Sequence, residues 1–128
     1  MTQEQKELLL KDLCGRIMYG VKCTVYEDTS VHTLSGVLPN KPYNQLYFEE
    51  LDWKEHDGFI GVKYCKPCLF PLSSMTEEQE KECQQIKYSY HYDDDSFVLF
   101  DWYNKNHFDY RGLIPMGLAI DATDLNIY

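Results

Sequence analysis

The spacing in this chain that chemistry most often exploits is Cys65-Lys66-Pro67-Cys68. Two thiols three residues apart can lower one pKa for redox exchange or supply half of a zinc site. A thioredoxin-like use needs the first cysteine at a helix N-terminus, and here the pair runs into Leu69-Phe70-Pro71, a poor helix former. Zinc would need two further ligands, and Cys83, His91 and His107 show no second paired spacing. Structural thiols are the leading reading. A small zinc- or thiol-dependent protein using Cys65 and Cys68 is the alternative.

The second constellation is His107-Phe108-Asp109-Tyr110-Arg111. In an extended segment, His107, Asp109 and Arg111 share one side and Phe108 and Tyr110 the other. The planar fork of Arg111 suits a carboxylate or phosphate, so His107, Asp109, Tyr110 and Arg111 form the candidate binding set. The structural alternative is stronger for each: Asp109 caps a turn, Arg111 pairs with a carboxylate, for which Asp109 is nearest, and His107 stacks near a helix end. Phe108 is expected to be buried.

Other groups carry less. Asp12 and Arg16 stand four apart and read as an exposed helical ion pair. Asp93, Asp94 and Asp95 lack the glycine and terminal glutamate of a twelve-residue calcium loop, so they read as helix caps. There is no glycine-rich phosphate loop, serine nucleophile elbow or His-Glu-x-x-His in the sequence. No motif fixes a reaction, and no metal or other cofactor is implied.

The elements that must position these groups follow from periodicity. Thr2 with Gln5 forms a capping-box pattern, and Leu10, Leu13, Cys14 and Ile17 recur at helical spacing, so a first helix ends at Gly20. Strands are expected over 21–26, 31–38, 45–51 and 59–64, broken by polar turns and by Pro39 and Pro42, as an antiparallel meander. Beyond Pro71, Ser74 with Glu77 or Thr76 with Gln79 can cap a second helix whose apolar face is Met75, Gln79, Cys83 and Ile86. Ile86, Tyr88, Tyr90 and Tyr92 alternate with polar residues, which suits a short strand or a helix extension, the strand being preferred. A third helix over 96–106 would carry Phe97, Phe100 and Tyr103 on one face, followed by a turn, a short helical segment and an extended end. The fold class is α+β: an N-terminal helix, an antiparallel sheet of four to five strands and two further helices in the C-terminal half, in one domain over 1–128.

Composition limits the partners. The 128 residues carry 12 basic and 21 acidic groups, a formal −9, which argues against direct binding to nucleic acid or to anionic membranes. The two halves carry −3 and −6, a mild asymmetry. The amino-terminal stretch lacks the basic and apolar regions of an export signal, and no apolar run reaches spanning length. Five cysteines in such a chain fit reduced thiols and a cytoplasmic location.

Three blocks, LLLKDLCGRIMYGVKC at 8–23, PLSSMTEEQ at 71–79 and DWYNKNHFDYRGLIPMGLA at 101–119, are similar to an uncharacterised family of small proteins frequent in anaerobic gut bacteria and their phages. The segment at 107–114 is the most specific of them. The resemblance implies a cytoplasmic protein with no known activity, of phage or mobile-element origin, and it leaves 24–60 and 88–92 uncovered. The many aromatics without a catalytic constellation make a non-enzymatic protein-interaction module, with an unknown protein partner, the leading expectation.

Overall fold

A computed structural model describes residues 1–26, 29–38, 44–51, 58–89 and 93–128. Helix α1 (Gln3–Arg16) starts on the expected box: the Gln5 N–H donates to Thr2 Oγ1 at 3.1 Å, and the Thr2 N–H donates to Gln5 Oε1 at 2.9 Å. A turn of 3-10 helix, Ile17–Tyr19, follows and ends on Gly20, whose left-handed φ of +69° suits glycine. The buried face of α1 is Leu9, Asp12, Leu13 and Arg16, one position round from the expected Leu10, Leu13, Cys14 and Ile17. Cys14 is exposed, and the Asp12–Arg16 pair expected at the surface is fully buried.

The sheet is mixed and divided, not one antiparallel meander. Strands β1 (Lys22–Val25) and β2 (Val31–Thr33) form an antiparallel pair, whereas β3 (Gly36–Leu38), β4 (Gln45–Tyr47) and β5 (Phe59–Gly61) form a separate three-stranded sheet. The expected strand over 31–38 therefore splits. At the break the Leu34 N–H donates to Val21 O and the next N–H, Ser35, donates to Tyr47 O, so the chain changes sheets within two residues. Gly36 permits this, because a Cβ there would stand 3.3 Å from Cβ of Tyr47.

The longest strand, β6 (Cys65–Pro71), is one that its two prolines hide in the sequence. It runs antiparallel to β1 and parallel to β7 (Phe108–Asp109) and β8 (Ile120–Asp121), which pair with it at Phe70-Pro71 and Cys68-Leu69. Pro67 stands opposite Cys23, and Pro71 ends the strand before a 3-10 turn, Leu72–Ser74. Leu9, Leu13, Cys23, Val25, Leu46, Ile60 and Leu69 belong to one core, so α1 covers residues of both sheets.

Helix α2 (Glu77–Ser89) uses the second of the two expected caps: the Gln79 N–H donates to Thr76 Oγ1 and the Thr76 N–H to Gln79 Oε1. It continues through Ile86 and Tyr88, which the alternation had favoured as strand; the helix buries Cys83 against α3 and leaves Tyr88 80% exposed. Residues 90–92 of that alternation lie outside the described residues. Helix α3 (Asp93–Lys105) begins three residues before the expected 96. After β7 the chain makes turns in place of the expected short helix, with Gly112 and Gly117 at φ of +76°.

Candidate functional site

The expected binding set lies where α1, α3 and the segment after β7 meet. Asp12 sits at its centre because it lies one helical turn from both Leu9 and Arg16 on the buried face of α1. Its Oδ2 accepts from Arg16 Nε at 2.8 Å, and its Oδ1 accepts from Arg16 Nη2 at 3.2 Å and from Arg111 Nε at 3.1 Å. Arg16 Nη2 also donates to the carbonyl of Phe108 at 2.7 Å, tying α1 to β7. One buried carboxylate thus holds two guanidiniums, that of the fully buried Arg16, whose Nη1 has no partner among the described residues, and that of Arg111, whose side chain is 24% exposed. The paired, charge-assisted contacts offset part of the cost of burial.

Arg111 is tied to a carboxylate as expected, but to Asp12 and not to Asp109. Asp109 has other work: its two oxygens accept from the Leu113 and Ile114 N–H groups, each at 2.9 Å, and close the turn after β7. Phe108 is buried beside Trp102 and Phe70, at ring separations of 5.6 and 6.3 Å. The three polar side chains of this segment do not share one face. His107 takes a left-handed φ of +62° and lays its ring on Tyr128, with centroids 3.6 Å apart. Burial, helped by the positive charge of Arg16, pushes its pKa down to about 4, so the ring is neutral near pH 7. The Tyr128 hydroxyl accepts from the Lys22 N–H and donates to the Cys68 carbonyl, both at 2.8 Å, and burial pushes its pKa well up.

Tyr110 lies within an aromatic stack. Tyr103 is 5.3 Å to one side and Phe100 5.0 Å away, both nearly parallel to it, while the guanidinium carbons of Arg16 and Arg111 stand 5.2 and 5.0 Å from its ring centre. The stack leads to the surface. Phe100 is 44% exposed, and Phe97, one turn earlier on the same face of α3, is 81% exposed. The Tyr19 hydroxyl donates to Asp101 and draws the Ile17–Tyr19 turn, with its exposed Met18, beside this helix.

Cys65 and Cys68 lie inside β6, three positions apart. Successive side chains alternate faces, so the two thiols are on opposite faces with Cα atoms roughly 10 Å apart at about 3.3 Å per residue. A disulfide needs less than about 7 Å. Burial raises their pKa values to about 12 and about 11, far from the thiolate that redox or metal chemistry uses. Among the described residues no three His, Cys, Asp or Glu side chains are grouped to hold a metal ion.

The exposed face of α3 is what sequence reasoning missed: Phe97, Phe100 and Tyr103 were expected on one face, and of the three only Tyr103 is buried. A signal was present: Leu99, Trp102, Tyr103 and Asn106 recur at i, i+3, i+4 and i+7 and mark the inward side. A second signal is charge. Residues 72–101 hold eight acids against two lysines, −6 of the chain's −9. No family model matches the chain, and neither curated proteins nor solved structures give a match.

Proposed function

We propose that this chain is a cytoplasmic, non-enzymatic protein-interaction module, of phage or mobile-element origin, whose docking face is the surface formed by Phe97, Phe100, Tyr110 and Arg111. His107 and Asp109 serve that face by fixing the backbone on either side of Phe108. The observation that carries the reading is the exposure of Phe97, 81% open to water, one helical turn before Phe100, which stacks on Tyr110. A large aromatic held in water on a supported helix fits an interface anchor better than a core residue, and arginine beside tyrosine is the composition of binding hot spots. Arg111 is suited to a rim role, its side chain being 24% exposed while Asp12 holds it in place.

The test pairs a melt with a capture assay. The double variant Phe97→Ala, Phe100→Ala should retain the fold and lose the partner that the wild type retains from cytosol of the native host. An unchanged set of captured proteins, or turnover of a small substrate that the double variant still performs, would overturn the proposal.

A further inference from the structure

We infer that the partner presents an arginine-rich segment, and that an arginine side chain of that segment lies over the exposed Phe97, beside the Phe100–Tyr110 stack; this rests on the docking face proposed above. The first support is internal: the stack already takes two guanidiniums, Arg16 and Arg111, at about 5 Å from the Tyr110 ring, while its outer member Phe100 is 44% exposed and Phe97, one turn earlier on α3, is more exposed still. A planar cation placed over Phe100 and Phe97 would continue a contact that the protein already makes twice. Arg111 stands at the Tyr110 end, so an incoming cation is directed to the other end, toward Phe97.

Charge gives the second support. Asp101 lies one turn after Phe97 on α3, positions 93 and 94 lie one turn before it, and both are aspartates. With α2 they hold most of the net negative charge of the chain, so a basic segment is steered here and an acidic one is repelled. A second copy is a poor occupant. The chain has only two arginines, and Arg16 is buried while Arg111 is bound to Asp12, so neither is free to be offered.

Titration calorimetry of the whole chain with a short arginine-rich peptide and a lysine-rich peptide of equal charge tests this, at about 0.15 M salt so that distant charges are screened. The arginine peptide should bind at least about threefold tighter, the size of one exposed cation–π contact, and Phe97→Ala should erase that preference while leaving a salt-sensitive remainder. Equal affinities, a preference that Phe97→Ala leaves intact, no binding of either peptide, or a dimer that Phe97→Ala dissociates would each overturn the inference. The two proposals fail separately. Loss of native capture in the double variant with no peptide binding removes only the arginine-rich partner, whereas unchanged native capture removes the docking face itself.

Discussion

Two regions of this molecule use the same side-chain types to opposite ends. Around Asp12 most of the charged and aromatic groups find partners within the chain: two guanidiniums share one carboxylate, though Arg16 Nη1 has no partner among the described residues, and Tyr110 stacks with Phe100 and Tyr103 and lies near both cations. Along α2 and the outer side of α3 the charge is one-sided and the aromatics are open: acids outnumber lysines four to one over 72–101, and Phe97 and Tyr88 face water. The first arrangement stabilises, because every polar group left without its partner there would keep the cost of burial and lose the compensation. The second adds little to folding, since its groups lose little water on folding. A residue's type therefore says less about its role here than whether its partners lie within the chain.

The difference is broken most forcefully at its buried pole. Asp12→Ala leaves the buried Arg16 without its counter-charge, and a loss of about 3–5 kcal/mol in urea denaturation is expected, as for other broken buried pairs. Phe108→Ala, which opens a cavity between Trp102 and Phe70, should cost a similar 3–5 kcal/mol. If either variant melted with the wild type, the network would be ornamental and the contrast with α3 would disappear.

Why Asp12 was misread shows how far the sequence reaches. The α+β class, the first helix with its Thr2–Gln5 box, the Thr76–Gln79 cap and the burial of Phe108 were all legible, since each depends on local hydrogen bonding or on hydrophobicity. The burial of Asp12 and Arg16 was not. Their four-residue spacing is the same for an exposed and a buried pair, and what draws them inward is Arg111 and the Phe108 carbonyl, both more than 90 positions away. Strand β6 was hidden for a similar reason: Pro67 and Pro71 discourage a strand locally, yet β1, β7 and β8 all pair with it. Of the candidate site, the turn-capping role of Asp109 and a carboxylate partner for Arg111 were readable, and the identity of that partner was not.

Arg111→Ala probes the boundary between the regions, since this side chain belongs to the network and also borders the docking face. Removing it takes one of three bonds from the Asp12 carboxylate, and about 1–3 kcal/mol should be lost. A purely structural Arg111 would change the melt and leave capture of the partner unaltered, whereas a residue serving both regions changes both. A melt identical to wild type combined with lost capture would move Arg111 wholly to the docking face.

His107 allows the comparison to be made by pH. Its pKa is near 6.5 in the unfolded chain and about 4 in the folded one, so between these values the unfolded state binds the proton and the folded state does not. Stability from this group is complete above about pH 6.5 and falls as the pH drops toward 4. His107→Asn removes the titration, and asparagine tolerates the left-handed backbone there. The stability advantage of wild type over this variant, measured by chemical denaturation at a series of pH values, should shrink across that window. A constant or growing advantage would mean that the ring is not held neutral.

The smallest expected effect lies at Phe97, one helical turn outside the stack. Phe97 is mostly in water, so Phe97→Ala should alter stability by less than about 0.5 kcal/mol, the ordinary range for a surface substitution. Phe100 differs by one contact, its stacking on Tyr110, so Phe100→Ala should cost more, on the order of 0.5–1.5 kcal/mol beyond the area it buries. Melting both variants beside Tyr110→Ala would give a ladder of increasing cost from the surface inward. A Phe97→Ala loss equal to that of Phe100→Ala would show that Phe97 is packed in solution. The outer face of α3 would then belong with the matched region around Asp12, and the docking face would have lost the exposed anchor on which it rests.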